Sequence, residues 1–198
     1  MCLLLESIQI RDGHPLNARY HQARMASSSQ ELFGKRVKLD LSIDFIPSEF
    51  KIGIFKCRIV YNSMVESISF EEYIPKKINS LKLVYDNNIS YSHKFADRSR
   101  LNELLKQKGT SEDILIVKND KITDTSYSNV VFRKQKEYYT PSTFLLNGTK
   151  RQQLLENGQI REMDLSIKDL AQMDSIILIN SMLELNSGAG INTSAIIL

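Results

Sequence analysis

The chain has 198 residues, 42% of them hydrophobic, enough for a sizeable core in one domain or two small ones. Lys and Arg total 26 against 23 Asp and Glu, and the resulting net charge of +3 gives no reason to expect nucleic acid or an anionic membrane as partner. Cys2 and Cys57 form neither a disulfide framework nor a zinc-spaced set, so no metal is expected and a reduced, cytoplasmic protein is the default reading. The start Met1-Cys2-Leu3-Leu4-Leu5-Glu6 lacks the basic residues and long apolar run of a signal peptide, and no later segment is apolar for long enough to span a membrane. The triplets at Asn88, Asn147 and Asn192 that match a glycosylation acceptor are read as chance.

Leu3 to Ile10 is β-friendly, and Arg11-Asp12-Gly13 reads as a turn. A helix is predicted from about Ala18 to Phe33, stopped by Gly34. Leu39 to Ile46 alternates with polar residues and reads as a strand or an irregular connection. Ile52 to Tyr61 and Met64 to Phe70 read as two strands of a hairpin about Asn62-Ser63, and Leu81 to Tyr85 as a short strand. Asp86-Asn87-Asn88 is the most polar break near the middle, and a domain boundary is expected there, giving 1–86 and 87–198. A helix follows from Asp97 to Lys106, with Leu101, Leu104 and Leu105 at helical spacing. Ile114 to Val117, Val130 to Arg133, Ile160 to Ile167 and Ile176 to Asn180 read as strands, and Gly148 to Glu156 as a short helix. Strands outnumber helices without regular alternation, which points to an α+β fold rather than a doubly wound parallel sheet.

Four stretches carry candidate chemistry. In Tyr20-His21-Gln22-Ala23-Arg24-Met25 the His and Arg share a helix face; this is either a solvated face or a guanidinium poised to fork onto a phosphate. In Ser92-His93-Lys94-Phe95-Ala96-Asp97-Arg98, Lys94 stands where a strand gives way to a helix. A lysine that attacks a carbonyl needs such a rigid, partly desolvated place, although any one lysine is more often a surface charge. Ile122 to Phe132 is a polar loop feeding an apolar strand, with Asp124 either bonding its own backbone or serving a specific task. Asn147-Gly148-Thr149-Lys150-Arg151 is a glycine before a polar helix start, either an ordinary cap or an anion site, and it lacks the spaced glycines of a Walker loop.

In this order and spacing the four stretches resemble the landmarks of the class IV aminotransferase family, which includes the aminodeoxychorismate lyases, from Glu6 to about Glu184. The resemblance implies the pyridoxal-phosphate fold type IV: two domains, a small N-terminal α/β sandwich and a C-terminal pseudo-barrel, as in D-amino-acid aminotransferases. It implies pyridoxal 5′-phosphate as cofactor and Lys94 as the Schiff-base lysine. Arg24, in His21-Gln22-Ala23-Arg24, matches the arginine that contacts the cofactor phosphate. Gly148, Thr149 and Lys150 match the turn whose N–H groups hold it, and Asn180 and Ser181 fall at a second phosphate-binding turn. Asp124 stands where the family has Glu, the carboxylate that keeps the pyridine nitrogen protonated so that the ring acts as an electron sink. Asp preserves the charge one methylene shorter. The family also has a leading segment of about two dozen residues that shapes the substrate pocket, and this chain starts almost at the strand after it.

Lys94 followed four residues later by Arg98, and a turn Asn180-Ser181-Met182 without glycine, look more like the lyases than the branched-chain transaminases. The expected reaction is therefore that of 4-amino-4-deoxychorismate lyase, which releases pyruvate and leaves 4-aminobenzoate, a folate precursor. The alternatives are an aminotransferase acting on D-amino or branched-chain acids, and a non-catalytic relative. Arg58 and Arg98 are candidates for recognising the carboxylate of a small amino substrate. The resemblance further implies a homodimer.

Overall fold

The computed structural model describes residues 2–186 and 190–197. They form two compact units, one comprising residues 2–75 and 93–97, the other 76–92, 98–186 and 190–197. The polar break at Asp86-Asn87-Asn88 lies within the second unit, where the Asp86 carboxylate accepts from Asn88 N–H and binds Arg100. The chain returns to the first unit for residues 93–97 because their backbone bonds to the first strand.

In the first unit, β1 (Leu4–Arg11), β2 (His14–Pro15), β3 (Ile54–Tyr61) and β4 (Val65–Glu72) make an antiparallel sheet in the order β2-β1-β3-β4. Asp12 and Gly13 both have positive φ, which gives the turn between β1 and β2 the twist a two-residue hairpin requires. α1 (Ala18–Phe33) ends at Gly34 in the left-handed conformation, whose N–H closes onto Gln30 O. Its buried Ser29 is no defect. The hydroxyl donates to Met25 O at 2.7 Å and accepts from Val37 N–H at 2.9 Å, tying the helix to the chain that leaves it.

One sheet face carries Leu4, Ile8, Ile10, Cys57, Ile59 and Tyr61, which pack with Met25 of α1 and with Val37, Leu41 and Ile46. The last two come from the segment that alternates in sequence. It is irregular, with one 3-10 turn at Ile43–Phe45. Residues 94–96 run against β1: Leu5 N–H donates to Lys94 O, and Ala96 N–H to Leu3 O, both at 2.8 Å.

The second unit contains β5 (Leu81–Tyr85), α2 (Ser99–Leu105), β6 (Asp113–Lys118), β7 (Lys121–Thr125), β8 (Asn129–Lys134), β9 (Glu137–Pro141), α3 (Thr149–Glu156), β10 (Arg161–Met163), β11 (Ser175–Ile179), β12 (Ile191–Asn192) and β13 (Ile196–Ile197). Two sheets, β13-β5-β6-β7 and β10-β9-β8-β11-β12, share one core, in which Leu115, Val117 and Ile122 meet Val130, Phe132 and Ile176. On the other side of β6, Ile114 and Ile116 pack with Leu101 and Leu104 of α2. Val131 and Ile177 pack with Leu154 of α3. β6 and β8 are thus covered on both faces, which is why they are continuous apolar runs. The structure is the expected α+β mixture.

Candidate active site

Each unit contributes a set of candidate residues. In the first, Glu6 projects from β1 onto the face covered by α1 and is fully buried. Arg24 forks onto it, Nε to Oε1 at 2.8 Å and Nη2 to Oε2 at 2.6 Å, while His21 Nδ1 lies 2.6 Å from Oε2. Burial works to raise the Glu6 carboxyl, but the charge and hydrogen bonds of Arg24, with help from His21, outweigh it and bring it down to about 2. Burial depresses His21, with Arg24 and Lys94 adding to the effect and Glu6 opposing it. The imidazole is therefore neutral at neutral pH. Because the ionised Glu6 can only accept, His21 must donate from Nδ1. Lys94 is half-buried and belongs to the same neighbourhood, since its charge acts on His21. Arg58 stands apart. It lies opposite Ser7 and Ser69 on the other sheet face and is exposed.

In the second unit, Asp124 is buried on β7. Its Oδ1 accepts from Asn129 Nδ2 at 2.8 Å, and its Oδ2 from Leu145 and Leu146 N–H, each at 3.0 Å. Burial still pushes the carboxyl up to about 6, against these three bonds and the more distant charge of Arg151. Asn129 also donates to Leu146 O at 2.9 Å, and its Oδ1 lies where a Cβ on Gly148 would be, 2.0 Å from that position.

Only glycine fits at 148, the N-cap of α3. Gln152 N–H is the first to close a helical bond, on Gly148 O at 3.0 Å, so helix geometry leaves the N–H groups ahead of it to be satisfied from outside the helix. Thr149, Lys150 and Arg151 are all buried. The Lys150 side chain is committed: Nζ reaches Glu184 Oε2 at 2.8 Å and Gln153 Oε1 at 3.0 Å. Arg151 binds Pro141 O and Glu162 and lies over the Phe144 ring.

Asn180 shapes the following turn. Its Oδ1 accepts from Met182 N–H at 2.8 Å and its Nδ2 donates to Ser128 Oγ at 3.0 Å, with Ser181 half-buried at the bend. Arg98 donates from Nη2 to Ser126 O and lies over the Tyr127 ring, 3.8 Å from its centroid, while its buried Nε has no hydrogen-bond partner.

Asp124, Gly148, Thr149, Lys150, Asn180, Ser181 and Arg98 therefore belong to loops joined by side-chain bonds within one unit. In the other unit Arg24 and His21 gather about Glu6, and the charge of Lys94 acts on His21. Sequence reasoning did not single out Glu6, Asn129 or Glu184. The Asp124–Asn129 spacing lay inside the polar stretch already singled out, but the other two pairings are long-range and have no local signal.

The Amino-transferase class IV family model matches residues 75–188, more than half of the chain, and the chain belongs to that family. An uncharacterized protein of Haemophilus influenzae is 38% identical over 182 residues, covering 90% of this chain and 97% of its own length. A crystal structure from Haemophilus somnus, named as a "putative 4-amino-4-deoxychorismate lyase", is 36% identical with a TM-score of 0.85, over 93% of this chain and 98% of that one. The pyridoxal-phosphate-bound form of a hypothetical aminotransferase from Mycobacterium tuberculosis has the same fold, with a TM-score of 0.72 at 18% identity, over 91% of this chain and 78% of that one. The fold is that of the fold-type IV aminotransferases.

Two predictions follow from the Asp124 network. Gly148→Ala must displace Asn129 and with it a donor to Asp124, and is expected to cost about 1–3 kcal/mol in denaturant unfolding; an unchanged midpoint would refute the close approach. The folded chain holds the Asp124 proton more tightly than the unfolded one, so Asp124 contributes stability that is fully present below pH 3.8 and is lost as pH rises through about 6. The stability of the wild type relative to Asp124→Asn should accordingly fall by about 3 kcal/mol across that range. Parallel pH–stability curves for the two proteins would contradict it.

Proposed function

We propose that the chain is a pyridoxal-phosphate-dependent lyase that converts 4-amino-4-deoxychorismate to 4-aminobenzoate and pyruvate. The observation that carries the cofactor is Asp124: a buried carboxyl, fixed on both oxygens, whose burial is only partly offset and which a protonated ring nitrogen would stabilise as the carboxylate. The donor set fits the rest of the group, with a lysine amine at Lys94, a guanidinium at Arg24, and a helix start at Gly148-Thr149-Lys150 where only glycine fits. When bound, pyridoxal phosphate supplies a carbonyl that an amine captures and a pyridinium ring that takes up electron density.

Lys94 would hold the cofactor through its amine, and as a free amine it would be the base that moves the proton. Asp124 keeps the ring nitrogen protonated. Arg24, the backbone of 148–150, and the turn at Asn180 and Ser181 hold the phosphate. The Lys150 side chain takes no direct part, because Glu184 occupies it. Arg98, and more weakly Arg58, meet substrate carboxylates.

The choice of lyase rests on the Haemophilus somnus structure's name at 36% identity, together with Lys94, Arg98 and the glycine-free turn at 180–182. The reaction balances without a co-substrate. The ring carbon loses its hydrogen, the ether C–O bond breaks, and the three-carbon group gains hydrogen and departs as pyruvate while the ring becomes aromatic. A transaminase, in contrast, requires a keto-acid acceptor. An exposed Cys2 and a buried Cys57, neither in a disulfide, fit a reducing cytoplasm. No helix among the described residues is long and apolar enough to cross a membrane. We further propose a homodimer, and a monomer in light scattering at working concentration would count against it.

The purified protein with pyridoxal phosphate is expected to release pyruvate from aminodeoxychorismate with no keto acid added, and borohydride to fix the cofactor covalently. Lys94→Ala should lose the covalent link and slow turnover by about a thousandfold. Strict dependence on a keto acid would move the assignment to a transaminase, and unchanged turnover in Lys94→Ala would overturn the catalytic role.

A further inference from the structure

We infer that Glu6 is a positioning residue that determines which edge of the Arg24 guanidinium is offered to a phosphate group. The inference rests on the cofactor reading above and deepens it.

Strand β1 performs two tasks on adjacent residues. The Leu5 main chain registers Lys94: Leu5 N–H donates to Lys94 O and Ala96 N–H to Leu3 O, both at 2.8 Å. The next side chain, Glu6, holds Arg24. An arginine guanidinium has two edges that can fork onto an anion, Nε–Nη2 and Nη1–Nη2, and an arginine on a helix surface samples both on its flexible stem. Glu6 takes the Nε–Nη2 edge with both oxygens, which fixes the guanidinium plane and turns the Nη1 side away from the carboxylate. Because one strand carries both constraints, the arginine and the lysine are held in a fixed relation before any ligand arrives, and the ligand does not bear the cost of ordering them.

The electrostatics agree with that role. Arg24 and the ionised Glu6 cancel, and burial keeps His21 neutral. The trio thus offers an anion oriented donors rather than net charge. His21 completes the arrangement by donating from Nδ1 to Oε2, which steadies the carboxylate from a second direction.

A merely structural role for Glu6, neutralising two buried bases, makes a different prediction, and the two separate on whether the ligand carries a phosphate. The apoprotein is titrated with pyridoxal phosphate and with pyridoxal, and inorganic phosphate is used as competitor, in wild type, Glu6→Gln and Glu6→Asp, with folding checked by circular dichroism. For Glu6→Gln the expected result is an affinity for pyridoxal phosphate lower by about tenfold, the lost orientation outweighing the Arg24 charge that Gln leaves uncancelled, and a higher affinity overturns the inference. Its affinity for pyridoxal should stay within about twofold, and competition by inorganic phosphate should weaken. Glu6→Asp keeps the charge one methylene short and should recover part of the difference. Equal losses for both ligands, or no loss for either, overturn the inference. So does failure of both variants to fold, which would make Glu6 a folding requirement. A wild type that binds pyridoxal no less tightly than its phosphate also overturns it, and a wild type that binds neither sinks the cofactor reading itself.

Discussion

Burying Asp124 constrains nearly everything around it in the second unit. A carboxyl removed from water must find donors for both oxygens, and Arg151, whose charge acts on it, bonds to Pro141 O and Glu162 instead. The donors come from one carboxamide and two backbone N–H groups, so the chain at 145–146 must fold back onto β7. Asn129 can serve only if its own oxygen has room, and that room is the missing side chain of Gly148. The start of α3 is thereby pressed against the Asp124 loop, and Asn180 draws the next turn to Ser128. Loops distant in sequence converge because one acidic group has to be satisfied.

The first unit solves the same problem with the opposite sign. Glu6 is as deeply buried, yet Arg24 and His21 more than offset its desolvation, so its carboxyl falls to about 2 where that of Asp124 rises to about 6. Glu6 therefore contributes stability that is present above the ordinary carboxylate range and is lost as pH falls through about 2, while the contribution of Asp124 runs the other way. A carboxylate with its counter-ion in place is finished as an interaction, whereas one held by neutral donors still gains from a cation.

The elements with strong periodicity or continuous apolar runs were legible. The helix over Ala18 to Phe33, the hairpin about Asn62-Ser63 and the buried strands at Ile114 to Val117 and Val130 to Arg133 all follow from local pattern. β7 was not, because Thr123, Asp124 and Thr125 are buried polar residues; the Thr123 hydroxyl, for example, donates to Ile116 O at 2.8 Å. A strand that satisfies polar side chains internally has no alternation to read, and it looks like a loop. The strand expected over Ile160 to Ile167 shortens to Arg161–Met163, since Ser166 and Asp169 form a capping box that starts a 3-10 helix. At the site, the landmarks were legible but their engagements were not. Lys150 reads as an anion-site lysine, and only the fold reveals that Glu184, 34 residues on, occupies its amine.

These engagements also rank the basic residues as partners for a substrate carboxylate. Arg24, Lys150 and Arg151 already have acidic partners within their own units, so each would bring little net attraction to an incoming anion. Arg58 lies exposed on an open sheet face, where water solvates it and a carboxylate would gain only the small worth of a surface pair. Arg98 differs from all four. It has no acidic partner among the described residues, its contacts are a carbonyl and an aromatic face, and its Nε is buried without an acceptor. An arriving carboxylate would meet a charge not already cancelled. Of the two arginines proposed for substrate recognition, the geometry favours Arg98, which stands at the start of α2 and is tied through Ser126 O to the segment that follows β7.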